Sequence, residues 1–222
     1  MHKSYILSEK NFLMTRDLCL FERLLGMYTV AGAIYAVGDV IAFVDGPKQG
    51  ILIADTCGHR KDFGDKMKEF LQQIITEGWG SSQNAKTEII DLRKRLVIAG
   101  TGKPDTEIDL PEDSEWWDFV EISYAQFADK KISLFGLYFW ICRSDGTIEY
   151  PKSVFGCFNH QRRELPDPVL IGLDKGDTLL MASDGLDSNI SRTLYHTHGK
   201  SHEDGKKMID DVLYRSSGMD SI

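Results

Sequence analysis

Two sets of apolar runs with a period of two flank a single block of helical periodicity, and this order leaves few folds open to the chain. Residues 27–36 (MYTVAGAIYA), 39–44 (DVIAFV) and 51–54 read as strands, with Gly32 as a bulge or kink in the first. The last two of these are joined by Asp45-Gly46-Pro47 and its neighbours, a strong turn signal, which predicts an antiparallel hairpin. After Gly58 the period changes. Phe63, Met67, Phe70, Leu71, Ile74 and Ile75 fall on one helical face, and Gly78 to Ser82 stops that helix. Ile89, Ile90, Leu92, Leu96 and Val97 predict a second helix ending at Gly100, followed by an acid-rich loop over 101–115. Strands resume over 117–127 and 132–143. A hairpin turn at Ser144-Asp145-Gly146-Thr147 returns the chain over 148–150, and Asp174 to Asp177 turns it into a strand over 178–183. Met208, Ile209, Val212 and Leu213 mark a last helix. Strands in hairpins with helices grouped together give an α+β fold rather than an alternating βαβ one. Residues up to about 25 mix charge and apolar residues at helix-like spacing and read as a lead-in, so that the main domain is expected over 26–222.

Composition closes off several classes of function. With 222 residues, 42% of them hydrophobic, the chain can bury one substantial core. It carries 26 basic and 34 acidic residues, a net charge of −8, which weighs against nucleic acid or anionic membrane as a main partner. Cys19, Cys57, Cys142 and Cys157 form no Cys-x-x-Cys pair and are spread too widely for a disulfide framework, so reduced thiols are expected. The N-terminus does not open as a signal peptide, and the longest apolar run, 134–142, is too short to span a bilayer. These features predict a cytoplasmic protein with no membrane span.

The chemistry-bearing residues sit at the strand ends. Asp55 closes the run Ile51-Leu52-Ile53-Ala54, Asp184 follows Leu179-Leu180-Met181-Ala182-Ser183, and Asp39 follows Val37-Gly38 at the head of another strand. A carboxylate at the end of an apolar strand is costly unless something pairs with it, and several in one chain point to cations.

Three segments then carry a resemblance. Ala54-Asp55-Thr56-Cys57-Gly58-His59 resembles the A-D-x-S-G-H signature of the metal-dependent protein phosphatase family (the protein phosphatase 2C class), in its bacterial sporulation stage II protein E-like branch. Val37-Gly38-Asp39 resembles that branch's G-G-D motif. The segment from Gly176 to Leu186 (GDTLLMASDGL) resembles its G-D-x-L-L-L-x-[ST]-D-G-[LV] motif, and Gly218-Met219-Asp220 resembles the opening of the last one. No one motif is specific alone; their order and spacing make the case, from about residue 25 to the C-terminus.

The resemblance implies an αββα sandwich: two packed antiparallel sheets flanked by helices. Its last strand would continue past Ile222, so that the chain reads as truncated there. It implies two Mn²⁺ or Mg²⁺ ions, held by Asp39, Asp55 as the bridging ligand, the Thr56 carbonyl, Asp184 and Asp220. Hard oxygen donors suit these ions. Two such ions can lower the pKa of a water between them and aim it at phosphorus. His59 matches the place of a proton donor to the leaving alkoxide, and a plain residue at a helix start is the equal alternative. The implied activity is a serine/threonine protein phosphatase acting on a phosphorylated regulatory protein, such as one of a sigma-factor or stress-signalling switch.

The sequence departs from the pattern at Val37 for Gly, Cys57 for Ser and Arg60 for Gly. These departures keep open a second reading, a catalytically weak domain that retains the fold and binds a partner. Asp210 and Asp211 rival Asp220 but fit a helix surface better, and His196, His198 and His202 read as an exposed polar loop before they read as a zinc site.

Overall fold

The computed structural model describes residues 12–13, 19–25, 28–34, 40–44, 48–56, 61–80, 84–104, 120–128, 130–136, 139–145, 147–149, 151 and 165–181. In chain order the elements are β1 (Phe12–Leu13), β2 (Cys19–Leu25), β3 (Tyr28–Ile34), β4 (Val40–Val44), β5 (Gln49–Thr56), α1 (Lys61–Thr76), α2 (Ala85–Thr101), β6 (Val120–Ala128), β7 (Lys131–Phe135), β8 (Phe139–Cys142), β9 (Ile148–Glu149), β10 (Val169–Gly172) and β11 (Thr178–Met181). A six-stranded sheet runs β1-β4-β5-β6-β7-β10, a three-stranded sheet runs β11-β8-β9, and β2 and β3 form a hairpin of their own. All pairings are antiparallel.

Alternation along the strands sorts side chains onto two cores. Val40, Ala42, Val44, Leu52, Ala54, Val120, Ile122 and Tyr124 face one way. There they meet Met67, Phe70, Leu71 and Ile74 of α1 and Ile89, Leu92, Leu96 and Val97 of α2. The neighbouring positions Ile41, Phe43, Ile51, Ala125, Phe127, Ile132 and Leu134 face the other way. They form a second core with Phe139 of the small sheet, against which Leu179 and Met181 also pack. A sheet buried on both faces needs apolar residues at both parities, and β4 is buried throughout. The layers are therefore helices, large sheet, small sheet, an α+β sandwich.

The helical layer is tied down by one polar cluster. α2 starts at Asn84, whose side chain accepts from Thr87 N–H at 3.0 Å, and ends at Gly102 in the left-handed region (φ 71°). Glu88, 3% exposed, accepts the Gly80 N–H at 2.9 Å, and its backbone carbonyl accepts the Trp79 indole N–H at 2.9 Å. This fastens the link between the helices to α2, and the Trp79 ring packs on Tyr124 of β6. Burial pushes the Tyr124 phenol well above its ordinary pKa and keeps it neutral.

Several sequence expectations are corrected. The helix-like lead-in is not helical where it is described: Phe12–Leu13 and Cys19–Leu25 are strands, and β1 pairs with β4. Scattered apolar residues satisfied a helical template that strand pairing overrides. Gly32 makes no bulge; it pairs with Phe21 in unbroken register. The second helix runs past Gly100 to Thr101, because the left-handed cap is Gly102. The single strand expected over 132–143 is two strands in different sheets, parted by Gly136 at φ 109°. β10 went unread because four residues carry too little pattern. The expected helix around 208–213 lies outside the described residues, as does the chain beyond Met181 where the last strand was read as truncated.

Candidate functional site

Asp55 and Thr56 are the last two residues of β5, inside the large sheet. Ala54 and Leu52 belong to the helix-side core and Ile51 to the inter-sheet core, so alternation puts Asp55 and Ile53 on the inter-sheet face. Asp55 is 8% exposed. Directly opposite it on β6 stands Glu121, half-buried, and opposite Ile53 stands Ser123. Cβ atoms of directly opposed residues lie about 4.5–5.5 Å apart, so two carboxylates share one spot on one face. Like charges so placed repel each other, and a nearly buried carboxylate loses hydration; a cation among them offsets both costs. Asp55, Glu121 and Ser123 each also engage other groups of the chain.

The backbone around this spot is closely fitted. Gly136 follows β7 and lies against β6: a Cβ there would come within 2.4 Å of the Ile122 carbonyl oxygen and 2.6 Å of Ser123 Cα. Only glycine allows that approach at φ 109°. Three residues on, Phe139 opens β8 and pairs with Met181, the last residue of β11. The end of β11 thus reaches the same end of the sandwich as Ser123 and Glu121.

Of the other candidates, Asp39 directly precedes β4 and Asp184 comes three residues after β11. Asp39, His59, Asp184 and Asp220 all lie outside the described residues, as do Val37, Cys57, Arg60, Asp210, Asp211, His196, His198 and His202. Among the described residues, no group of three or more His, Cys, Asp or Glu side chains forms a metal cluster.

A second acidic site lies where the sequence predicted only a turn. Arg143, just after β8, donates to Asp177 Oδ2 at 2.7 Å, to both oxygens of Glu149 at 2.9 and 2.8 Å, and to the Gly172 carbonyl at 2.8 Å. Asp177 also accepts the Ser144 N–H at 2.9 Å and the Asp174 N–H at 3.0 Å, and its side chain is 2% exposed. Burial alone would raise the Asp177 pKa, but the backbone N–H donors and Arg143 outweigh it and hold the carboxyl below its ordinary range. Glu149 is held low chiefly by its hydrogen bonds to Arg143. Every contact of Asp177 is thus a structural one, binding the turn before β11 to the β8–β9 hairpin. No spacing rule pairs Arg143 with Asp177, and sequence reasoning missed both. Glu121 was missed as well, although period-two alternation would have set it on a face once the register was known.

The donor set at Asp55 fits a hard dication. Asp55 and Glu121 offer carboxylate oxygens and Thr56 a backbone carbonyl, the ligand types of Mg²⁺ and Mn²⁺ rather than of zinc.

No family model and no curated relative matches the chain by sequence. Comparison of folds does find relatives. The chain is similar to the S. agalactiae serine/threonine phosphatase, with 14% identity, TM-score 0.51, and 90% of this chain and 93% of that one covered. It is similar to RsbX in complex with magnesium, with 12% identity, TM-score 0.54, and 95% and 90% covered. It is also similar to the PP2C phosphatase domain, with a fragment of the regulatory domain, of SpoIIE from Bacillus subtilis, with 14% identity, TM-score 0.58, and 94% and 59% covered. Among the described residues no helix is long and apolar enough to cross a membrane. The α+β sandwich of this chain is the fold of the PP2C-type serine/threonine phosphatases, including that of the sporulation stage II protein E branch.

Proposed function

We propose that the chain is a cytoplasmic metal-dependent serine/threonine protein phosphatase. It would remove phosphate from phosphoserine or phosphothreonine on a regulatory protein, with a sigma-factor or stress-pathway regulator as the inherited substrate class. The observation that carries this reading is Asp55: a carboxylate 8% exposed, at the end of a central strand, facing the gap between the sheets of a phosphatase-type sandwich.

Asp55, with the Thr56 carbonyl beside it, would hold Mn²⁺ or Mg²⁺. Asp39 and Asp184 would join from the strands on either side of the gap, and Asp220 from the last motif. The β4–β5 ladder supports the part given to Asp39. Val40, the residue after Asp39 in the sequence, pairs with Ala54, the residue before Asp55. The end of β11, three residues before Asp184, supports the other. When bound, a pair of such ions activates a water and offsets negative charge on the phosphoryl group. The chain's own part is to fix the carboxylates on paired strands, which holds them more rigidly than loops would. His59 would give a proton to the leaving oxygen.

The test is hydrolysis of an aryl phosphate and of a phosphopeptide with Mn²⁺, with chelator, and with Asp55→Asn. Activity that needs the metal and is lost in Asp55→Asn supports the proposal. Equal activity in wild type and variant removes it, and a chain that binds a partner but neither Mn²⁺ nor substrate is the partner-binding domain instead.

A further inference from the structure

We propose that Glu121 is an additional carboxylate of the cation centre built on Asp55, and that it raises the affinity of that centre for a hard dication. The inference rests on the phosphatase reading for the centre itself, but it concerns a residue that none of the recognised motifs contains.

Three observations carry it. The β5–β6 register is continuous from Gln49↔Phe127 to Thr56↔Val120, so the pairing of Asp55 with Glu121 is the next-to-last step of an unbroken ladder. A slip of one residue would turn every core residue of β6 to the wrong face, and Ile122 and Tyr124 are both fully buried. Glu121 therefore cannot leave the face that Asp55 occupies. Gly136 then locks β6 from the other side, where its close approach to Ile122 and Ser123 sets the backbone next to Glu121. Finally, Glu121 is half-buried on the inter-sheet face, directly opposite Asp55 and two residues before Ser123 of the same face. A glutamate placed there beside a dication supplies an oxygen donor, directly or through a water, and neutralises charge.

The test is calorimetric titration of the full chain with Mn²⁺ alone, for wild type, Asp55→Asn, Glu121→Gln and Glu121→Asp, with thermal melting of each metal-free protein beside it. Glu121→Gln is expected to weaken Mn²⁺ binding by about 10–100-fold, the range for partners that support a metal's direct ligands. Glu121→Asp is expected to lose less, since it keeps the charge. The metal-free Glu121→Gln protein is expected to melt near the wild-type temperature, which separates a role in holding the cation from a role in the fold. If wild type binds Mn²⁺, Asp55→Asn does not, and Glu121→Gln binds as wild type does, the role of Glu121 is overturned while the phosphatase reading stands. If wild type binds no Mn²⁺, both fail. Should Glu121→Gln not fold, Glu121→Ser carries the comparison, and wild-type Mn²⁺ affinity in that uncharged variant would overturn the role of Glu121.

Discussion

Asp55 lies at the end of one strand of this chain and Asp177 just before another, both side chains are nearly buried, and both are part of segments that resemble phosphatase motifs. The groups set across from them differ in charge. Asp177 meets an arginine and two backbone N–H groups, which is how a protein holds a carboxylate for structural use. What the sheet brings opposite Asp55 is another carboxylate. The contrast teaches that two acids in motif-like segments can face opposite kinds of neighbour, a difference the motif alone does not reveal.

Substitutions should pull the two sites apart. The largest effect is expected for Asp55→Asn, which should lower Mn²⁺-dependent phosphatase activity by about 1,000-fold or more, the several kcal/mol that bound dications supply to the transition state. Its melting temperature without metal should stay within a few degrees of wild type. Gly136→Ala comes next. It combines a disallowed φ with a backbone clash and should cost about 3 kcal/mol in urea unfolding, with weaker Mn²⁺ binding through displaced β6. A variant as stable as wild type would show that the close approach at Ser123 is not needed.

Asp177→Ala should reverse the pattern seen for Asp55→Asn. It strips Arg143 and two N–H groups of a shared acceptor and should destabilise by about 2 kcal/mol, yet leave Mn²⁺ affinity unchanged in the folded fraction. Lost metal binding in a stable Asp177→Ala protein would erase the distinction between the sites. Acid sharpens it further. The folded-state pKa values of Asp177 and Glu149 are depressed, so their contribution is complete above the unfolded carboxylate value of about 3.9–4.3 and is lost as pH falls through the lower folded values. Stability measured from pH 5 downward should therefore drop, and Asp177→Ala should show a shallower drop than wild type. The smallest effect belongs to Arg95→Ala on α2. Its bonds to Asp91 and Glu77 are solvent-exposed, and their loss should cost under about 1 kcal/mol.

How much of this could be read in advance follows from range. Both helices, the β4–β5 hairpin and the α+β class came from local periodicity, which Phe63, Met67, Phe70 and Leu71 state plainly. Asp55 was legible because an apolar strand ends on it beside a motif. Glu121 was not, since nothing within β6 marks it; only the pairing with a strand some sixty-six residues earlier does. Arg143 and Asp177 form their pair across 34 residues, again beyond any local pattern. The split of 132–143 turned on one glycine, whose meaning lies in the carbonyl it must approach and not in its immediate neighbours.

That glycine also sets a leash. Phe135 closes a strand of the large sheet and Phe139 opens one of the small sheet, four residues on. Four residues of fully stretched chain reach about 14 Å, while facing sheets stand about 10 Å apart. The two layers therefore have only a few ångströms of slack at this end, whatever happens at the other. Near Asp55, then, the gap between the layers has a maximum width written in covalent bonds.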